Sequence, residues 1–170
     1  MYGMNKKKLQ LIPYDPVWKA DFAAERLRIF SAAEDSIIQI EHIGSTSIPG
    51  IYAKPILDIA VLCADQAFEN VITGLKSLGY KFRGQFDDEI SHYYAVLEQA
   101  DTRLCQAHIY DKAVKDFHLK IKFRDTLRKN AELAREYNDY KRHLAKTVSG
   151  KTEYAEIKTK WVDEFILKVL

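Results

Sequence analysis

An α+β fold built on one mixed β-sheet, with a helix before it and a helical half after it, is what the sequence predicts. Three observations carry this. Two strand-length apolar runs, residues 36–43 and 56–63, bracket a short loop rich in glycine and hydroxyl side chains. Three more strand-like segments follow at 80–82, 92–97 and 103–110. From Lys115 onward, apolar residues recur only at helical spacing. The chain has 170 residues, enough for one core and too few for two ordinary ones, so a single domain over 1–170 is expected.

In chain order, Asp15 before Pro16 offers an N-cap and a proline at the first helical position, and Trp18, Phe22, Ile29, Phe30 and Ala33 form the inward stripe of a first helix. After the strands at 36–43 and 56–63, Asp65 is placed to cap a second helix. Its stripe is Phe68, Val71, Ile72, Leu75 and Leu78, and Gly79 ends it in a left-handed cap. The acidic loop Asp87-Asp88-Glu89 reads as solvated. Alternation along 103–110 puts Leu104, Gln106, His108 and Tyr110 on one face and Cys105, Ala107 and Ile109 on the other. The first face is unusually polar for a sheet interior and is a candidate cleft wall. Phe117, Ile121 and Leu127 give the next helix its apolar side, and Asn130 separates it from a helix bearing Leu133, Tyr137, Tyr140 and Leu144. Beyond Ser149-Gly150, Thr152 is placed to cap a last helix with Ile157, Trp161, Phe165 and Val169 inward and Lys158 one residue off the stripe.

The loop between the first two strands carries the chemistry. In Gly44-Ser45-Thr46-Ser47 a glycine frees the backbone and three hydroxyls lie beside several amides, a composition suited to phosphate oxygens. The same residues also suit a plain crossover in which Thr46 and Ser47 cap a short helical turn. Asp58 is the one charged side chain in 56–63. Burying it alone would cost several kcal/mol, so it must meet a strong donor or a cation, a divalent metal among the candidates.

Gly44-Ser45 with an aspartate on the following strand resembles the signature of the nucleotidyltransferase fold. The longer string from His42-Ile43-Gly44-Ser45-Thr46 through Pro49-Gly50 to Lys54-Pro55-Ile56-Leu57-Asp58-Ile59 resembles the GrpB family. Looser likenesses continue at Phe123-Arg124-Asp125 with Leu127-Arg128, at Glu136-Tyr137 with Lys141, and at Tyr154 with Lys158, so the resemblance spans nearly the whole chain. It implies a nucleotidyltransferase-like mixed sheet that binds a nucleoside triphosphate or another phosphorylated small molecule and transfers a nucleotidyl group to an acceptor. It further implies Asp58 as catalytic residue and ligand of Mg2+, and Ser45 as an orienting catalytic residue. Gly44, Ser45, Thr46, Lys54, His108, Arg124, Arg128, Lys141 and Lys158 become ligand-binding candidates, the basic residues closing over the Gly44-Ser45 loop. Read without the resemblance, Arg124 and Arg128 equally suit ion pairs with Asp125 or Glu132, the lysines suit solvated helix faces, and His108 suits a structural role. One position departs from the fold's usual pattern. A second acid commonly lies two residues after the first, where both carboxylates share a face and bridge a metal pair; here that residue is Ala60. The GrpB family commonly lacks it too, so the resemblance leaves open a binding module without turnover. It also leaves open that Glu41, Glu98 or Asp111 supplies the missing acid.

Composition narrows the classes. Lys plus Arg number 26 against 24 for Asp plus Glu, a net charge of +2, and no dense basic stripe carries interleaved aromatics, which argues against a nucleic-acid interface. Cys63 and Cys105 lie in apolar strands with no disulfide or metal spacing and read as buried thiols. No apolar run approaches the ~18 residues of a membrane span, and no apolar segment follows the basic start, so a soluble, cytoplasmic protein is expected.

Overall fold

The computed structural model describes residues 2–5, 8–87 and 91–169. Its elements are β1 (Met4–Asn5), α1 (Val17–Ala32), β2 (Ile37–Ile43), β3 (Leu57–Cys63), α2 (Phe68–Ser77), β4 (Tyr80–Asp87), β5 (His92–Gln99), β6 (Thr102–Tyr110), α3 (Lys115–Lys129), α4 (Ala131–Thr147) and α5 (Lys151–Val169). Among the described residues they form one sheet in the order β2-β3-β6-β5-β4, with β1 pairing the start of β6. β3 and β6 run parallel and every other pair is antiparallel, which makes the sheet mixed. The parallel pair is central and covered on both faces, which is why 56–63 is almost continuously apolar.

Each face buries its own helices. Ile40, Leu57, Ile59, Val61, Cys105, Ala107 and Ile109 pack against Trp18 and Ile29 of α1 and Val71, Ile72 and Leu75 of α2. The opposite face, with Ile43, Ala60, Leu62 and Tyr110, packs against Phe117 of α3. A third cluster joins Phe123, Leu127, Tyr137 and Phe165 of α3, α4 and α5 to Ile48 and Ile51 of the loop. The loop is thus anchored in the helical half and not only in the sheet. Cys63 and Cys105 are buried and free, as expected. No helix among the described residues is long and apolar enough to cross a membrane.

Helix ends follow the sequence in part. Asp15 Oδ1 accepts from the Val17 amide at 3.0 Å, Gly79 follows α2 with φ +92°, and Asn130 Oδ1 accepts from the amides of Glu132 and Leu133, both at 3.1 Å. Asp65 does not cap α2, whose cap position is Ala67 with no side-chain bond. Nor does Thr152 cap α5, which begins at Lys151; instead the Glu153 carboxylate accepts from the Ser149 amide at 2.8 Å and its hydroxyl at 2.7 Å. Trp161, Phe165 and Val169 of α5 face inward as expected, but Ile157 is exposed, and Tyr154 and Lys158 take the inward side of the first turns. β4 extends past the expected 80–82 to Asp87, and Asp88 and Glu89 of the acidic loop lie outside the described residues.

β2 ends where Ile43 pairs with Asp58, and Gly44 turns the chain there with φ +67° and ψ −173°, a region that essentially only glycine occupies. A Cβ at Gly44 would lie 2.8 Å from the Asp58 Cβ and closer still to its carboxylate. Gly44→Ala is expected to lose at least about 2 kcal/mol of stability from backbone strain and collision together. Urea denaturation of the two proteins measures it, and an unchanged midpoint would show that the bend relaxes freely.

Candidate functional site

A cleft of about 650 Å³ opens beside that bend, between the β3–β6 face, the loop and the three C-terminal helices. Asp58 lines it. Its Oδ1 accepts from the Gln106 amide nitrogen at 3.1 Å, and the Gln106 oxygen accepts from the Tyr94 hydroxyl, so the amide is oriented by bonds at both ends. The strong donor demanded by the sequence is this amide. Burial still pushes the Asp58 carboxyl up to about 6, against the pull of Lys158, Lys54, the Gln106 bond and Lys120. A carboxyl raised on folding binds its proton more tightly in the native state, so stability is lost as pH rises from the ordinary carboxylate range through about 6. Asp58→Asn removes that cost. It is expected to gain about 1–3 kcal/mol at pH ~8 and almost nothing at pH ~4, read from denaturation midpoints; a loss at pH ~8 would mean that the charge is stabilising.

α4 holds the loop from the other side. The Lys141 ammonium, 1% exposed, donates to Ser45 Oγ at 3.1 Å and to the Tyr52 carbonyl at 2.5 Å, and lies 4.3 Å from the Tyr137 ring centre. Ser45 Oγ also shares a 3.1 Å bond with the Tyr137 hydroxyl, and the Tyr52 amide donates to Asn138 Oδ1 at 2.7 Å. Burial, then Lys158, pushes Lys141 well below the lysine range. Lys54 lies 4.4 Å from the Tyr154 ring centre and is pushed down to about 8 by burial and by Lys158. Lys54 and Lys158 both line the cleft, and neither has a carboxylate within 4 Å among the described residues.

His108 lines it too, in a chain of rings. His92 Nε2 and His108 Nδ1 are 2.8 Å apart, and His92 Nδ1 is 3.5 Å from Asp116 Oδ2. The same oxygen accepts from the Tyr110 hydroxyl at 2.6 Å and from Lys120. Burial alone would raise the Asp116 carboxyl; Lys120, Tyr110 and His92 more than reverse this and hold it low. An ionised Asp116 only accepts, which favours a proton on the Nδ1 of His92 that faces it; Nε2 of a His92 protonated in that way accepts from Nδ1–H of His108. That leaves the His108 Nε2 lone pair bare. Burial, Lys120, His92 and Lys158 keep the His108 ring neutral, well below the usual histidine range. Nitrogen-resolved NMR at neutral pH should find His108 protonated at Nδ1, with the preference lost in Asp116→Asn. A His108 protonated at Nε2 in the wild type would break this assignment.

A family model described as GrpB protein matches residues 8–168. The chain belongs to the GrpB family. A UPF0157 protein of Halalkalibacterium halodurans is 34% identical over 164 residues, covering 95% of this chain and 83% of its own length. The crystal structure of GrpB from Enterococcus faecalis superposes with a TM-score of 0.79 at 27% identity over 94% of both chains. The Cid1 poly(U) polymerase, with MgGTP bound, matches 79% of this chain and 44% of its own at a TM-score of 0.54 and 14% identity. The fold is nucleotidyltransferase-like.

In this GrpB chain the residues singled out from the sequence divide into two groups. Gly44, Ser45, Lys54, Asp58, His108, Lys141 and Lys158 come together around the cleft. Thr46, Arg124 and Arg128 do not; they border a separate pocket of about 350 Å³ with Tyr14 and Phe22. The Thr46 hydroxyl donates to the Ile56 carbonyl at 3.3 Å and accepts from His42 Nε2 at 3.0 Å, and burial with Arg128 and Arg124 nearby pushes His42 down to about 3. Arg124 pairs with Glu41 and with Asp125 at 2.7 Å and donates to the His42 carbonyl at 3.0 Å. Arg128 donates to the Ser47 carbonyl at 2.9 Å. The arginines reach the loop, as expected, but brace its far side, because α3 turns them towards β2 and away from Asp58.

None of the candidate second acids lines the cleft. Glu41 pairs with Arg124, Glu98 with Arg103 at 3.0 Å, and Asp111 lies past the end of β6. Ala60 puts a methyl next to Asp58 on the same face, and no group of three His, Cys, Asp or Glu residues among those described is placed to hold a metal ion. The donor set therefore does not fit the expected Mg2+ site. Sequence reasoning also missed Tyr94, His92, Asp116 and Lys120. The i, i+4 spacing of Asp116 and Lys120 was a readable signal; the two rings required the β5–β6 register.

Proposed function

We propose that the cleft binds a phosphorylated small molecule, a nucleoside triphosphate first among them, with its phosphates at Lys54 and Lys158 against the Gly44-Ser45 bend. One observation carries the reading: two ammonium groups without carboxylate partners line one cleft beside a glycine bend. Lys158 adds to the cost of charging the buried Lys54, and an anion beside them offsets that cost. Phe86, Tyr94, Phe123 and Tyr154 supply apolar wall for the rest of such a ligand, and His108 Nε2 an acceptor for a ligand hydroxyl or amine. The Cid1 structure, of the same fold, holds MgGTP.

Nucleotidyl transfer is the reaction this binding would serve. An acceptor oxygen bonds to the α-phosphorus as the bond to pyrophosphate breaks, and the two ammonium groups stabilise the departing charge while Ser45, fixed by Lys141 and Tyr137, orients the phosphates. Binding without turnover is the second reading, and Ala60 favours it, because the face offers no second carboxylate to organise that step.

A panel of nucleoside triphosphates and inorganic tripolyphosphate, read by thermal unfolding, tests binding. A ligand near 100 times its Kd should raise the midpoint by roughly 5–10 °C, and Lys54→Gln with Lys158→Gln should abolish the shift. The shift should also shrink as pH rises through about 8, where Lys54 loses its proton. The ligand-free protein gains stability over the same rise, because unfolding would return that proton to an ordinary lysine. No shift with any of these ligands would end the phosphate reading.

A further inference from the structure

Resting on the reading of the cleft as a phosphate site, we propose that it receives its polyphosphate without a divalent metal ion, the ammonium groups of Lys54 and Lys158 supplying the positive charge that metal ions supply at a paired-carboxylate site. A Mg2+ ion takes six oxygen ligands in near-octahedral geometry and is reluctant to shed water. Around Asp58 the protein offers little of this. Its Oδ1 faces the hydrogens of the Gln106 amide, whose own oxygen is taken by Tyr94. Its Oδ2 lies against Gly44. The next position on that face of the strand is the methyl of Ala60. Of the two other carboxylates that line the cleft among the described residues, Asp116 is committed to Lys120, Tyr110 and His92, and Asp163 is exposed on α5.

Charge points the same way. Lys54 and Lys158 have no carboxylate within 4 Å among the described residues, although both pull on the buried Asp58, and a dication bound at Asp58 would share the cleft with both. A polyphosphate enters that field favourably with no counterion, and an ammonium on a flexible stem suits it as a point charge. Lys54 is held at the mouth by the Tyr154 ring and Lys158 by the inner stripe of α5, so two cations present themselves from two different elements.

Calorimetric titration of inorganic tripolyphosphate into the full chain, once in excess EDTA and once in excess MgCl2, decides the matter. The expected Kd in EDTA is equal to, or about two- to tenfold tighter than, that in MgCl2, because Mg2+ masks the ligand's charge. Asp58→Asn gives a second, oppositely signed readout. It should tighten tripolyphosphate binding about two- to tenfold by removing a like charge, whereas a metal ligand's loss would weaken it. Lys158→Arg should retain binding and Lys158→Gln lose about tenfold or more, with circular dichroism confirming that each variant is folded. Binding seen only with MgCl2 and lost in Asp58→Asn overturns this proposal and leaves the phosphate reading standing. Absence of binding in both buffers removes the two together.

Discussion

The contact of Gly44 with Asp58 is the constraint on which the cleft depends. The antiparallel register of β2 and β3 runs out at Ile43 opposite Asp58, and the chain must then turn directly over a carboxylate. No side chain larger than hydrogen fits there, and the backbone at Gly44 takes a shape other residues avoid. What fixes the loop beyond the turn is chiefly apolar burial. Ile48 and Ile51 are 1% and 2% exposed within the helical cluster, each worth about 1.5–3 kcal/mol. The loop's hydrogen bonds with Lys141, Asn138 and Arg128 are worth about 1 kcal/mol each and set the orientation more than the position. Sheet, bend and helices are therefore one mechanical unit, and the cleft between them is preformed.

The lysines around that unit divide their work by exposure. Lys141 is fully buried and bonded to Ser45 and Tyr52; even as a neutral amine it can donate both bonds, so it serves the loop and not a ligand. Lys120 is bound to Asp116 and through it steadies the histidine pair. Lys54 and Lys158 remain, and the charge of the cleft rests with them. Such a concentration of positive charge within a chain whose net charge is only +2 is a local device that bulk composition does not reveal.

What was legible in the sequence was what depends on neighbours along the chain. The strand pair around 44–58, the glycine bend, the lone aspartate and the polar face of β6 were readable, because period-2 alternation and φ-specific residues are local properties. The side of a helix is harder. Arg124 and Arg128 were placed near the loop correctly but on the wrong side of it, since the spacing of a helix gives which residues share a face and not which neighbour that face meets. Lys158 was read as one residue off a stripe that included Ile157; in the structure Tyr154 is buried and Ile157 exposed, so Lys158 faces inward with Trp161 and Phe165. The helix caps expected at Asp65 and Thr152 failed because the helix boundaries fall elsewhere: α2 begins at Phe68, after Ala67, and α5 already begins at Lys151. His92 and His108 are 16 positions apart, and only the strand register brings their rings together.

The pairing of β3 with β6 sets the electrostatics of this face. Asp58 lies opposite Gln106 and Ala60 opposite His108, so each β3 position meets a neutral partner. Two carboxylates at positions 58 and 60 would repel each other and would need a cation, or a proton on one of them, to be tolerated in a buried face. With a methyl in the second position, the cost of Asp58 is that of burial alone, met by one oriented amide and two nearby ammonium groups. Asp58 therefore has no like-charged neighbour at position 60 to repel it. The other electrostatic cost in the cleft falls on Lys54, pushed down to about 8 by burial and by Lys158; it is of the opposite sign, the kind that a nearby anion offsets.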